Sequence, residues 1–225
     1  MEQIEEPRNA RSRRTRAALL AAARALLEEH GTGRLTMTAV AERAGVSRRA
    51  AYLHFPSRAD LLIELFGYVS EQEGLASSLE QVWQAPDAAA ALDEWASHLA
   101  RFHPRVLAVA RAVQRVRRTD PDAAAQWTLV MADQQACCRR LASWLEREQR
   151  LAPPWTVQTA TDMLWALMSY ELLEELVVDR GWTAGSYRSH LAVLFRATFL
   201  RDPGQARPPP APGHGASPIA AVDLA

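Results

Sequence analysis

The fold is decided by residues 35–56, which read LTMTAVAERAGVSRRAAYLHFP. Thr36 and Ser47 each precede a short run of helix-forming residues, and both are residue types that cap helix N-termini. Gly45 lies between the two runs and can adopt the positive φ that a tight turn needs. Pro56 disfavours helical backbone at the residue before it and ends the second run. The stretch therefore predicts two short helices joined by a turn.

The two short helices also have the residues needed to pack at a steep angle. Ala41 is small at the position where the helices would approach most closely, and Gly45 follows it by four residues. Val40, Val46 and Ala51 are apolar at the spacing that turns them toward each other. This combination is typical of the helix-turn-helix motif.

Arg48 and Arg49 open the second helix of this motif. In a helix-turn-helix the second helix lies in the major groove of DNA with its N-terminal residues near the base edges. Either arginine can donate two hydrogen bonds to O6 and N7 of guanine. We expect both to contact bases, although the pair is also compatible with a solvated helix face.

Helical patterns flank the motif on both sides. Apolar residues recur at three-to-four spacing after Arg13, and the pair Ser57 and Asp60 has the spacing of a helix-capping box. No strand-like alternation of apolar and polar residues persists. We predict an all-α protein with helices at 13–30, 36–44, 47–55, 57–83, 87–101, 104–118, 122–150, 155–179 and 184–201.

This pattern divides the chain into two helical domains. A three-helix DNA-binding domain occupies 13–58, and a larger helical domain occupies 59–201. Residues 1–12 are polar and predicted to be a disordered arm. Residues 202–225 are rich in proline and predicted to be a disordered tail.

The distribution of charge agrees with a DNA partner. The chain has no lysine and a formal net charge of zero, but residues 8–58 hold eleven arginines against three glutamates. The remainder holds 15 arginines against 23 acidic residues. A basic first quarter joined to an acidic remainder indicates a polyanionic partner. The arginines at 11, 13, 14 and 16 suit a minor-groove arm or, equally, a solvated run.

The sequence offers little for catalysis, metal binding or membrane insertion. It lacks the glycine-rich, nucleophile-elbow and zinc-protease motifs that mark common enzymes. His98 and His103 have poor metal-ligand spacing, so we expect no metal or cofactor. Cys137 and Cys138 suit reduced thiols, with a redox or metal-sensing pair as the alternative. No apolar run approaches the ~18 residues of a membrane span, so we expect a cytoplasmic protein.

The motif resembles the TetR family of bacterial transcriptional regulators. The resemblance is carried by residues 35–41, by residues 44–47 and above all by the run Tyr52-Leu53-His54-Phe55-Pro56-Ser57-Arg58-Ala59-Asp60-Leu61-Leu62. It covers about 50 residues. It departs from the usual family pattern at Arg49, where a small residue or proline is common, and at Ala50, which replaces a frequent threonine. The operator sequence therefore does not carry over from a relative.

The resemblance implies roles for individual residues. The start of the second helix, Arg48 and Arg49, would read bases, whereas phosphate contacts set the register of the protein on DNA. The phosphate-contacting residues would be Thr36, Thr38, Ser47, Tyr52, His54 and Arg58. Two of these have structural alternatives, since Tyr52 could pack against the first helix and His54 could cap a helix end.

The resemblance also implies that the last two helices pair with a second copy of the chain. Apolar stripes at 163–178 and 191–199 are wider than a small core requires, which supports a homodimer. The predicted interface residues are Leu164, Leu167, Met168, Leu172, Leu191, Leu194, Phe195 and Phe199. A two-fold dimer would bind a palindromic operator.

A ligand pocket is the third implication of the resemblance. The predicted lining residues are Phe102, Val106, Val109, Trp127, Met131 and Trp165, with Gln134 or Glu171 as polar anchors, which suits a small apolar molecule. Ordinary core packing also explains each of these residues individually. The expected function is that of a repressor released by this ligand. The alternatives are a regulator controlled by a protein partner or by its abundance, and an enzyme with an added DNA-binding domain.

Overall fold

The computed structural model describes residues 5–201, apart from the side chains of residues 5–9, 32 and 122. This part of the chain is helical and contains no strand; Leu151 and Leu200 form an isolated bridge. The helices are α1 (Glu5–His30), α2 (Met37–Arg43), α3 (Arg48–His54), α4 (Arg58–Gln72), α5 (Leu75–Trp83), α6 (Ala88–Arg117), α7 (Pro121–Arg147), α8 (Val157–Leu167), α9 (Tyr170–Leu173) and α10 (Ala184–Phe199). The all-α prediction is confirmed.

Helices α1 to α3 form the small N-terminal bundle that the sequence predicts. The hydroxyl of Thr36 accepts a hydrogen bond from the amide of Ala39, and that of Ser47 accepts one from Ala50, each at 3.1 Å. These bonds satisfy helix N-termini that otherwise lack partners. Gly45 has φ +67°, as the predicted turn requires.

Helix α1 is longer than predicted. It begins at Glu5 rather than at Arg13, so residues 5–12 are helical where the sequence suggested a disordered arm. Pro7 does not prevent this start because the first-turn amides have no partner within the helix. The remaining arm residues 1–4 and the predicted disordered tail 202–225 lie outside the described residues.

Helix α6 is the centre of the larger domain and packs against α1, α4, α5, α7, α9 and α10. It is continuous from Ala88 to Arg117, so the predicted break at Pro104 is wrong. Pro104 is exposed, so its ring lies on the solvent side of α6. Packing on six neighbours offsets the local cost of the proline.

Two other predicted helices are divided. The helix predicted at 57–83 stops at Gln72, because Gly74 takes a left-handed conformation with φ +76°. The helix predicted at 155–179 stops at Leu167, and the hydroxyl of Ser169 caps a new helix by accepting from the amide of Leu172 at 3.2 Å. Helix α9 then continues as a wide π turn from Glu174 to Asp179.

Helix α4 connects the small bundle to the larger domain. It packs against α1 on one side and against α6 and α7 on the other, so the predicted domain boundary at residue 58 falls at its first residue. At its far end, Glu73 accepts a hydrogen bond from Arg24 of α1 at 2.5 Å. Arg105 of α6 donates to the backbone carbonyl of Glu73 at 3.4 Å. These contacts hold the C-terminal end of α4 to both neighbours.

Candidate functional site

The exposed face of α3 presents the residues predicted to read DNA. Ala51 is buried against the bundle, whereas Arg48, Arg49, Tyr52 and Leu53 are exposed. The guanidinium of Arg48 lies 5.5 Å from the centre of the Tyr52 ring, within cation–π distance. Tyr52 is 39% exposed, so packing against α1 does not account for its whole side chain.

Leu53 is a candidate DNA contact that the sequence did not single out. Its side chain is 78% exposed and lies one helical turn after Arg49, on the same face. Apolar side chains contact the methyl group of thymine in the major groove. The inward position of Ala51 was the available signal, because it places Leu53 on the outward side.

The predicted phosphate-contacting residues surround this face. Thr36 and Ser47 use an oxygen lone pair in capping, which leaves each O–H group able to donate to a phosphate. Thr38 is exposed in the first turn of α2, and His54 is half-buried at the end of α3. Arg58 is the first residue of α4.

The Ser57 capping box fixes the start of α4. The amide of Asp60 donates to the Ser57 hydroxyl at 3.1 Å, and the amide of Ser57 donates to the Asp60 carboxylate at 2.9 Å. This reciprocal pair sets the direction in which the chain leaves α3 and enters α4. The capping box therefore also fixes the position of Arg58 relative to α3.

The arginines predicted to form a minor-groove arm or a solvated run lie on helix α1. Arg16 forms an ion pair with Glu64 at 2.6 Å, and its guanidinium lies 4.9 Å from the centre of the Phe55 ring. Arg11, Arg13 and Arg14 are exposed on a regular helix. They are therefore presented at fixed positions around the helix axis.

A second candidate site is a cavity of about 350 Å³ in the larger domain, bounded by the end of α6, by α7, by α8 and by α9. Five predicted ligand residues line it: Trp127, Met131, Gln134, Trp165 and Glu171. Residues that the sequence did not single out also line it, namely Gln114, Arg117, Thr128, Ala132, Gln135, Ala166, Met168, Ser169 and Tyr170. The cavity thus combines aromatic and thioether walls with amide, hydroxyl and charged groups.

The other three predicted ligand residues belong to the core. Phe102, Val106 and Val109 are buried on α6 and do not line this cavity. The sequence showed that they face inward but not which inward positions border empty space. These three residues pack in the core of the larger domain, as the alternative interpretation expects.

Aromatic contacts link the cavity to α4. Phe66 of α4 meets Trp127 edge-to-face at 4.9 Å between ring centres and meets Tyr170 at 6.2 Å. Gln134 donates to the Tyr170 hydroxyl at 3.5 Å. Nearer the start of α7, Gln126 donates to the Asp60 carboxylate at 3.2 Å. Helix α7 therefore contacts both the cavity and the first turn of α4.

Two buried histidines lie behind the cavity wall. The His103 ring is 4.8 Å from that of Tyr170, and Nδ1 of His98 is 2.9 Å from the Ser78 hydroxyl. Burial lowers the pKa of His98 to about 4 and that of His103 to about 3. A smaller contribution comes from Arg101 for His98 and from His98 for His103. Both rings are therefore neutral near pH 7.

The predicted dimer residues divide into buried and accessible groups. Leu164, Met168, Leu191, Phe195 and Phe199 are buried within the chain's own core, so this part of the interface prediction is wrong. Leu167 and Leu172 are half-buried, and Leu194 is 42% exposed. The buried stripes hold α8 and α10 against the rest of the domain. The accessible apolar side chains in this region are Met163, Trp165, Val178, Val193 and Leu194.

Cys137 and Cys138 are both free thiols, half-buried and buried respectively. Burial raises the pKa of each. The Cys138 sulfur lies 3.5 Å from that of Met168, a cavity-lining residue. The raised pKa values favour the inert thiol form over a reactive thiolate.

No helix within residues 5–201 combines the length and hydropathy needed to cross a membrane.

Comparisons with known proteins agree with the geometry of the small bundle. Residues 19–65 match the family model described as bacterial regulatory proteins, tetR family. None of the curated proteins compared with the chain matches it.

Solved structures share the fold of the whole described chain. A regulator from Saccharomonospora viridis in complex with choline has a TM-score of 0.68 at 16% identity, covering 83% of this chain and 98% of that one. A TetR-family regulator from Rhodococcus sp. has a TM-score of 0.65 at 20% identity, covering 82% and 98%. The regulator FadR from Bacillus subtilis in complex with stearoyl-CoA has a TM-score of 0.64 at 16% identity, covering 80% and 96%.

At these identities the solved structures establish the fold, whereas the family model identifies the small N-terminal bundle. The match at residues 19–65 includes α2, the turn at Gly45 and α3, where the exposed arginines lie. Residues 19–65 thus match the tetR family of bacterial regulatory proteins, and the described chain has the fold of solved TetR-family regulators.

Proposed function

We propose that the protein is a homodimeric repressor, acting in the bacterial cytoplasm, that leaves a palindromic operator when a small apolar ligand binds. The observation that carries this proposal is the position of α7. This helix lines the cavity through Trp127 and Met131, and it contacts Asp60 in the first turn of α4. Helix α4 directly follows the recognition helix α3.

The DNA-binding part of the proposal assigns base contacts to the exposed face of α3. Arg48 and Arg49 bind guanine, and Leu53 contacts a thymine methyl group. Contacts to the DNA phosphates surround these base-contacting residues and fix the register of the protein on DNA. The residues proposed to contact phosphates are Thr36, Thr38, Ser47, Tyr52, His54 and Arg58.

The dimer of the proposal forms through the accessible side chains of the last helices. Met163, Val193 and Leu194 form an exposed apolar set that a second copy can cover. A closed two-fold dimer presents two α3 helices to successive major grooves, about 34–36 Å apart. The operator is then a palindrome whose half-sites have that separation.

The ligand proposed for the cavity is a small, largely apolar molecule with few polar groups. A volume of about 350 Å³ falls in the range of small-molecule sites. Trp127, Trp165 and Tyr170 offer flat apolar surfaces, while Gln134 and Glu171 offer hydrogen bonds. The complexes of two structural neighbours with choline and with stearoyl-CoA support a ligand-binding role for a domain of this fold.

Ligand binding would be transmitted through α7 to α4. A ligand between Trp127 and Trp165 displaces α7, which carries Gln126 and packs on Phe66 of α4. A tilt of α4 moves the attached recognition helix, so that the two α3 helices of a dimer no longer fit successive grooves. The ligand must bind this released state more tightly by several kcal/mol to reverse the equilibrium.

The test combines tryptophan fluorescence with DNA binding. DNA fragments selected from a random pool provide the operator, and a compound panel is screened for fluorescence changes that are lost in Trp127→Phe. Compounds that pass should release wild-type protein from the selected duplex at the concentrations that change its fluorescence.

Three outcomes would contradict the proposal in different parts. Selected DNA with no binder in the panel and no thermal stabilisation by any compound would favour control by a protein partner or by abundance. Chemical conversion of a compound, detected by mass spectrometry, would indicate an enzyme with a DNA-binding domain. Failure to select any DNA would contradict the DNA-binding function itself.

A further inference from the structure

We propose that α1 contributes a second DNA-backbone site, a basic groove between its N-terminal turns and the α2–α3 turn. The groove has a volume of about 510 Å³ and opens to solvent. We call it the α1 groove. It is lined by Arg11, Ser12, Thr15, Gly45, Val46, Ser47, Ala50 and His54.

The side chains of the α1 groove are those that bind phosphate oxygens. Arg11 offers a charged donor, and Ser12, Thr15 and Ser47 offer hydroxyl donors. The His54 ring closes the opposite side. None of the described residues that line the groove is acidic, so no carboxylate there repels a phosphate.

Helical geometry explains why these residues share one groove. Ser12 and Thr15 lie within about 100° of Arg11 around the helix, because each residue advances by about 100°. Arg13 lies about 200° from Arg11 and thus on the other side of α1. Arg16 is bound to Glu64 and packed on Phe55, so it serves the fold of the bundle.

The occupant that fits this groove is a phosphate of the DNA backbone rather than a dissociated anion. The groove shares Ser47 and His54 with the phosphate contacts proposed around α3. DNA lying against α3 therefore passes the mouth of the groove, and its phosphates are closely spaced along the duplex. The contact requires α1 to be helical before Arg13, as the structure shows.

This inference rests on the proposed DNA-binding function and is tested by the salt dependence of binding. The affinity of the full chain for a random-sequence duplex is measured by fluorescence anisotropy at several salt concentrations. Arg11→Ala should reduce the slope of log K against log salt by about 0.9, the value for one phosphate contact. Arg13→Ala removes the same charge from the other side of α1 and should leave the slope nearly unchanged.

A second variant separates the groove from general charge. Thr15→Val keeps the side-chain shape but removes the hydroxyl, and it should weaken binding several-fold without changing the slope. Circular dichroism confirms that each variant retains the helical content of the wild type. Inorganic phosphate, titrated at constant ionic strength, serves as the probe for binding of a dissociated anion.

Each outcome assigns failure to one proposal. Equal slopes for Arg11→Ala and wild type, or equal losses in Arg11→Ala and Arg13→Ala, would overturn the α1 groove while leaving DNA binding intact. Saturable binding of inorganic phosphate that depends on Arg11, without an effect on the DNA slope, would assign the groove to a free anion. Absence of DNA binding by the wild type would instead contradict the proposed function.

Discussion

His103 shows how one buried side chain makes the molecule sensitive to acid. Neither of its ring nitrogens has a hydrogen-bond partner among the described residues, and its ring lies between those of Tyr170 and His98. A protonated ring in that position has no counter-charge on Tyr170 and faces a second histidine. The folded protein therefore keeps His103 neutral, and the cost of this appears when the pH falls.

The first prediction concerns the pH dependence of stability. Because folding lowers the His103 pKa from 6.5 to about 3, the unfolded chain binds more protons below pH 6.5 and stability falls as pH drops from 6.5 toward 3. At pH 5.5 the loss from this one histidine is on the order of 1 kcal/mol. His103→Phe should remove the loss of stability that His103 causes between pH 7 and pH 5.5, as measured by urea unfolding at the two pH values. The exposed His190→Gln variant is the control, and an unchanged pH dependence in His103→Phe would contradict the assignment.

The second prediction concerns sequence reading by Arg49. Arg49→Ala should lower the ratio of affinities for selected and random DNA by about 5- to 150-fold, the equivalent of 1–3 kcal/mol for a lost bidentate contact. Competition binding assays measure this ratio. Arg34→Ala, which removes an exposed arginine from the turn before α2, should leave it unchanged. A uniform loss on all sequences in Arg49→Ala would show that this side chain contacts only the backbone.

The local residues of the site were predictable from the sequence. Thr36, Gly45 and Ser47 act within three or four residues of their own position, and the structure gives them the predicted caps and turn. Gln134 and Glu171 were predicted as polar anchors of the pocket that the resemblance implied, and both line the cavity. Which apolar residues border the cavity depends on the relative positions of four helices, and a single helix pattern does not contain that information.

At the scale of elements, local signals explain helix ends that the predicted helices ran past. Gly74 and Ser169 lie at helix boundaries in the structure, whereas the apolar pattern continues through both positions and predicted unbroken helices there. Pro104 is also a helix-ending signal, but the packing of α6 overrules it. The end of a helix thus depends on whether the local backbone preference or the packing of the helix contributes more free energy. Only the local preference can be predicted from neighbouring residues.

The third prediction tests the turn between α2 and α3. Gly45→Ala should destabilise the protein by about 1–2 kcal/mol, because φ +67° places a Cβ too close to the following carbonyl oxygen. Thermal unfolding measures the change. Gly33→Ala is the matched control, since Gly33 lacks a positive φ and an added Cβ meets nothing within 4 Å. The strain argument fails if the two variants have the same midpoint.

At the scale of the whole molecule, an apolar stripe does not reveal what covers it. The residues Leu164, Leu191, Phe195 and Phe199 were predicted to face a second copy, and each is buried by the chain itself. Burial by the same chain and burial by a partner require the same apolar pattern. Only the folded structure separates the two kinds of burial, because in it Val193 and Leu194 stay exposed to solvent while these four residues are buried.

The fourth prediction tests that remaining surface. Val193, which is 68% exposed on α10, should tolerate a charge in the monomer but not within a dimer interface. Val193→Asp should weaken self-association by roughly 100-fold or more, because a two-fold interface contains the substitution twice. Analytical ultracentrifugation measures this. Leu129→Asp changes a similarly exposed residue on α7, and dissociation by this variant instead would move the interface to α7.

The contacts of Glu73 with Arg24 and Arg105 hold one end of α4, so that this helix can act as a lever. Arg24 and Arg105 hold its far end to α1 and α6, so the fulcrum lies there and the arm extends from there back to Ser57. An arm of 15 residues is about 22 Å long, and a rotation of about 5° displaces its tip by about 2 Å, which is enough to break a hydrogen bond. In the proposed release by a ligand, the length of α4 would convert a small rotation near the cavity into a displacement of its first residue, and this displacement would weaken the contacts of α3 with DNA.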